Sequence, residues 1–256
     1  MQDYIIDPID SNPTHTYIDY SNYTQFLTSP LNVQSTGFSE CYISQASVIH
    51  SWYNINDNNK TISINVNGTG YSFDLPIGHY TVSSLRTQME SSLFTATTYV
   101  FTVTYSSLLS RFTFSTTVTF YFKTTAMSQY TLDVFGFYKG IPEVSILNGT
   151  SYVLSTQRIP QLTLTQIFVK FSFNDSYNSP IRTNDNNYSL LIPVVSPYGF
   201  NVFYKPDTKF KITSFPDSTL VNKIKVEFYD QYNNRLDLNG GFNSFNFTFS
   251  SPIEYF

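Results

Sequence analysis

Residues 226–249 read VEFYDQYNNRLDLNGGFNSFNFTF, and the fold turns on this stretch. Val226 and Phe228 alternate with polar neighbours, and Phe245, Phe247 and Phe249 alternate in the same way further on. A period of two sends successive side chains to opposite faces, so each half buries one apolar face as a β-strand. Ile224 extends the first apolar set, and Asn233-Asn234 supplies a turn whose residues tolerate positive φ. The pattern predicts a closing hairpin in the core. Nothing in the stretch has the setting of an acid, a base or a metal ligand.

Most of the chain is written like this. FSECYISQASVIHSWYNI (38–55) is rich in aromatic and β-branched residues, and TISINVNG (61–68) alternates Ile62, Ile64 and Val66. Asn67-Gly68 followed by Tyr71, Phe73 and Leu75 predicts a tight hairpin over 61–75. YVFTVTYSSLLSRFTFSTTVTFYF (99–122) predicts another, with Phe101 and Val103 facing Phe112 and Phe114 across a turn at Ser106–Ser110. LTLTQIFVKFSF (162–173), NYSLLIPVVSPYGF (187–200) and FKITSF (210–215) continue the strand pattern. One segment departs from it. TVSSLRTQMESSLF (81–94) spaces Val82, Leu85, Met89 and Leu93 as a helix does, with Thr81 as N-cap. Residues 124–160 predict loops with one short helix or strand. In all, roughly nine to ten strands at intervals of about 10 residues indicate an all-β sandwich or barrel. Residues 1–34 hold Pro8, Pro13 and Pro30 among many aromatics, which predicts an extended N-terminal arm that docks on something. The expected organisation is that arm followed by one domain, 35–256, with a loop or insertion region about 123–160.

Composition narrows the function. Of the 256 residues 18% are aromatic and only 12% charged, with Asn, Ser and Thr in place of the missing charge. Soluble domains carry roughly 25% charge, so this surface is weakly protected against association. The net charge is −4, and 14 Lys and Arg are spread singly. Strong binding to nucleic acid needs clustered cations that neutralise phosphates, which argues against such a partner. No apolar run is long enough to cross a bilayer as a helix. The N-terminal residues MQDYIIDPIDSNPTHTYIDY show neither the basic region nor the apolar region of a signal peptide. A single cysteine, Cys41, excludes an intramolecular disulfide and reads as a small buried hydrophobe.

The usual chemical constellations are missing. His15, His50 and His79 lie far apart in sequence, without the close pair and Glu of a cupin-type metal site. His79 falls at the turn before the helix, and His50 beside Trp52 reads as a partly buried strand residue. Asp7, Asp10 and Asp19 are too irregular for a calcium loop. Gly240-Gly241 precedes a strand, where a phosphate-binding glycine pair would open a helix. Glu143, Glu227, Asp230 and Asp237 are the carboxylates that could pair as in a glycosidase, although they read as turn and strand-surface residues. The expectation is a chain that is not an enzyme and has no catalytic, cofactor-binding or metal-binding residues. An interaction or assembly protein remains, with a glycan- or receptor-binding sandwich as the alternative for its many Tyr residues.

The order of these motifs resembles a family. SVIHSWYNIN (47–56), the hairpin and helix of TISINVNG and FDLPIGHYTVSSL, and FTVTYSSLLSRFTFS (101–115) resemble the N-terminal half of minor capsid proteins of polinton-like viruses, virophages and related large DNA viruses. LDVFGF (132–137) and LLIPVVSPYGFNVFYKP (190–206) resemble later segments, the first with Val-Phe-Gly-Phe where the family has Leu-Gly-Phe. The closing segment resembles that family's final strand pair, with Asn233-Asn234 in place of its turn glycine. The resemblance implies a single jelly roll acting as a penton-like minor capsid protein. Five copies of such a protein close an icosahedral vertex beside trimers of the major capsid protein. It also implies a virion location with assembly inside the host cell, and partners limited to itself, the major capsid protein and other minor capsid proteins.

Overall fold

A computed structural model describes residues 2–6, 22–32, 40–140, 143–174, 176–178, 181–183, 186–207, 210–215 and 220–250. The first strands are β1 (Gln2–Ile6), β2 (Asn22–Asn32), β3 (Glu40–Ile49), β4 (Thr61–Val66), β5 (Thr69–Asp74), β6 (Thr102–Ser106), β7 (Arg111–Thr116) and β8 (Phe120–Phe122). Then follow β9 (Glu143–Val144), β10 (Ile146–Asn148), β11 (Ser151–Ser155), β12 (Gln166–Phe173), β13 (Ser176–Asn178), β14 (Ile181–Thr183) and β15 (Asn186–Tyr188). The last are β16 (Leu190–Pro193), β17 (Asn201–Tyr204), β18 (Phe210–Ser214), β19 (Leu220–Tyr229) and β20 (Asn243–Ser250). Two α-helices, α1 (Val82–Thr97) and α2 (Gln129–Phe135), interrupt the strands. The chain forms two compact units, Met1–Trp52 with Leu164–Phe256, and Tyr53–Thr163.

The first unit is a jelly roll. One sheet runs β1-β20-β3-β17, with β18 continuing along β3, and the other runs β13-β12-β19-β2, with β16 also on β12. All these pairings are antiparallel. The first strand lies beside the last, the second beside the one before it, and the third beside the last again. The strands β1, β2, β3 and β12 thus alternate between the sheets, as do β18, β19 and β20, which is the interleaving of a jelly roll. Aromatic rings fill the space between. Phe171 on β12 meets Phe245 and Phe247 on β20 edge-on at 5.0 Å, and Phe228 on β19 lies 5.9 Å from Phe245. Phe173 reaches Phe215 at 5.2 Å.

This topology corrects one expectation. β19 and β20 each bury the predicted face, with Ile224, Val226, Phe228, Phe245, Phe247 and Phe249 all at 0% exposure. They are not hairpin partners: β19 pairs with β12 and β2, while β20 pairs with β3 and β1. Asn233 does turn the chain at φ 63°, and Leu236 donates to the Phe228 carbonyl at 2.9 Å. The chain then leaves this sheet, and Ile49 donates to the Phe242 carbonyl of the other at 3.0 Å. Enough residues separate the two strands for each to join a different sheet. The expected N-terminal arm reaches both sheets. Its described residues are β1 and β2, outer strands of the two sheets, with Tyr4 opposite Phe247 and Thr24 opposite Lys225. Pro30 lies in β2, where an edge strand tolerates a residue without an N–H, and β2 also carries a register shift opposite Val221–Lys223.

The second unit has its own two sheets, β5-β4-β8-β9 and β10-β11-β7-β6. Phe114 on β7 meets Phe122 on β8 at 4.8 Å, and Phe122 meets Phe137 at 4.7 Å. The expected hairpin is β4–β5, with Val66 opposite Thr69 and both turn residues at positive φ (Asn67 50°, Gly68 83°), as a type I′ turn requires. The β6–β7 hairpin forms as read, with Val103 opposite Phe114. α1 begins at Thr81, whose hydroxyl accepts from the Ser84 amide at 3.2 Å, and it buries Leu85, Met89 and Leu93. Residues 124–160 hold more order than the expected loops: a 3-10 turn at Thr124–Ala126, a second helix α2, and β9, β10 and β11. α2 is buried from Tyr130 to Phe135, so no polar stripe betrays its period. It ends at Gly136 (φ 82°), where a Cβ would lie 2.3 Å from the Arg158 carbonyl oxygen. The unit spans Tyr53–Thr163, wider than the expected insertion of about 123–160.

Candidate assembly surface

The residues considered for chemistry are dispersed into structural tasks. Asp230 is 2% exposed in the turn after β19. Its Oδ1 accepts from the Tyr232 and Asn234 amides at 2.8 Å, and its Oδ2 accepts from the Asn234 side chain at 3.0 Å. Burial raises its pKa, opposed by those hydrogen bonds. Glu227 pairs with Lys225 at 3.0 Å on the outer face of β19. Asp237 accepts from the Asn239 amide at 2.7 Å and holds the next turn. The Glu143 side chain and the whole of Asp7, Asp10, His15 and Asp19 lie outside the described residues. Among the described residues no group of three or more His, Cys, Asp or Glu could hold a metal ion.

Cys41 is buried in β3, and burial pushes its thiol pKa well up, away from the reactive thiolate. His79 follows Gly78, which bridges Ile55 just before α1. His50 lies just past β3. Its ring stacks on Trp52 at 4.2 Å, and its Nδ1 sits 2.8 Å from the Ser196 carbonyl oxygen. Burial lowers its pKa, against the upward pull of that hydrogen bond.

The two outer faces of the jelly roll differ. On the second sheet Lys170 stands over the Tyr229 ring at 4.4 Å and the Tyr188 ring at 5.0 Å, with Lys225 and Glu227 nearby on β19. Tyr188, whose hydroxyl donates to Asn233 Oδ1 at 2.5 Å, has its pKa pushed up to about 12, chiefly by burial. Cations and phenol rings cover this face. Around β17 the first sheet lacks that chemistry, and its Lys211, Glu40 and Tyr42 pair with one another at the far end of β3. Residues 41–49, 190–204 and 238–250 contain no charged residue. Along β17 the side chain of Val202 points inward at 0% exposure, while Phe203 beside it is 64% exposed. Ser47 of β3 lies opposite both Phe203 and Ser244, and Ile49 lies opposite Asn201. Phe242 and Phe200 accept hydrogen bonds from Ile49 and His50 respectively, so they flank the end of β3. The sequence reading did not single out these phenylalanines. The available signal was three neighbouring segments without charge.

A scan against family models finds no match, and no curated protein matches by sequence. Similarity emerges in three dimensions. The crystal structure of the selenomethionine-labelled mavirus penton protein superposes with a TM-score of 0.56 at 11% sequence identity, over 98% of this chain and 100% of that one. The chain has the fold of the mavirus penton protein. The match extends over residues of both the jelly roll and the Tyr53–Thr163 unit. At this identity the likeness is one of fold alone.

Proposed function

We propose that this chain is a non-catalytic structural subunit of a viral capsid, a penton-like minor capsid protein that closes icosahedral vertices as a ring of five copies. Its partners are further copies of itself, the major capsid protein and other minor capsid proteins, and its place is the virion, assembled inside the host cell. The observation that carries this proposal is the end-to-end fold match to the mavirus penton protein. Two features of the chain support it. Only 12% of residues are charged, which suits a surface covered on several sides. The carboxylates Asp230, Glu227 and Asp237 serve turns and an ion pair, and none of these roles is catalytic.

Light scattering on the purified protein tests the ring. A pentamer has a mass of about 147 kDa, five times the 29.4 kDa of one chain. A mass of 29.4 kDa at every concentration, together with no co-assembly with major capsid trimers, would overturn the proposal.

A further inference from the structure

We propose that the outer face of the first jelly-roll sheet, where Phe203, Ile49 and Phe242 stand together beside Phe200, is a surface through which one copy of this chain holds the next. This rests on the assembly of copies proposed above and names the surface that carries it.

Register makes the patch contiguous. Asn201, Ile49 and Phe242 form one row across β17, β3 and the approach to β20, and Phe203, Ser47 and Ser244 form the next. Adjacent strands lie about 4.8 Å apart, so Phe242 beside Ile49 and Phe203 beside Ser47 fall on neighbouring rows of one face. Phe200 and Phe203 are each 64% exposed and Phe242 is 61% exposed. Register places Phe203 and Phe242 on this face, and two phenyl side chains of that exposure present roughly 250 Å² of apolar surface. That amounts to about a third of the ~800 Å² each partner contributes to a standard interface. The surroundings are Ser47, Ser244, Asn201 and Asn246, which form a neutral polar rim around an aromatic centre, the usual anatomy of an interface.

Charge selects the occupant. With no Lys or Arg in the three segments that build it and only Lys205 at its border, the patch has no cluster of cations to hold a phosphate or an anionic lipid. An equally uncharged surface is the complement, and a second copy of this low-charge chain supplies one. A closed ring needs two unlike patches per subunit, and this is the aromatic one.

The test compares the native protein, a Phe203→Ser/Phe242→Ser double variant and a Ser47→Arg variant by light scattering, with thermal melts to confirm folding. All three positions face outward, so the melts are expected to stay where they are. The expected result is a multimer for the native chain and a fall to 29.4 kDa for both variants. Folded variants that keep the native mass overturn this surface and leave the ring standing. Variants that keep the mass but lose co-assembly with major capsid trimers also overturn it, assigning the patch to that other protein. A native chain of 29.4 kDa at all concentrations overturns the self-contact itself.

Discussion

Two parts of this molecule have nearly the same local sequence pattern and opposite outcomes. In residues 61–74 Ile62, Ile64 and Val66 alternate, an Asn-containing turn follows, and the alternation resumes. In residues 224–249 Ile224, Val226 and Phe228 alternate, an Asn-containing turn follows, and it resumes again. The first is a hairpin, β4 paired to β5 along their whole length. The second is the seam of a sandwich, with β19 and β20 in different sheets and their rings meeting across the core. Alternation reports which face a strand buries. It does not report which strand lies beside it. Loop length supplies that second fact only when the loop is short: two residues between Val66 and Thr69 leave the strands no other neighbour.

The sharpest way to break the comparison is Phe245→Ala. The ring is wholly buried and lies between Phe171 and Phe228 of the opposite sheet. Its loss is expected to cost about 3–5 kcal/mol in a denaturant melt. A cost near that of a surface substitution would show that the closing strands do not meet across a core. Next comes Asp230→Ala, which strips the turn after β19 of the acceptor for two amides and is expected to cost ~1–3 kcal/mol. Asp230→Asn keeps an acceptor oxygen and sheds a charge that burial disfavours, so it is expected to melt closer to the native protein. If both variants melt alike, the hydrogen bonds are not what holds the turn. The mildest is Gly68→Val in the β4–β5 hairpin, expected to cost about 1–2 kcal/mol because a β-branched residue is forced to φ 83°. An unchanged melt would mean that this turn does not govern the pairing.

Legibility followed the range of the interaction. The β4–β5 and β6–β7 hairpins and α1 could be read because a turn residue or a cap lies within a few positions of the residues it organises: Asn67-Gly68, and Thr81 with Ser84. β1 and β2 could not, because the strands that complete them, β20 and β19, lie at the other end of the chain. α2 was hidden for a different reason. It is buried from Tyr130 to Phe135, so no polar face marks its period. The aromatic surface was half legible. The absence of charge in 41–49, 190–204 and 238–250 is visible in the sequence, yet only strand register sets Phe203, Ile49 and Phe242 on one face.

By itself, then, the sequence determined that the chain is β-rich, which residues of most strands face inward, where the tight turns fall, and that the chain is poor in charge. These are properties of single residues and close neighbours, set by backbone sterics and by the gain from burying apolar area. Tertiary structure alone decided the interleaved strand order, the place of the first residues within the two sheets, and the joining of phenylalanines from distant segments into one outward patch. A strand offers hydrogen bonds along both edges and accepts any strand that fits, so its neighbour is settled by the packing of the whole unit.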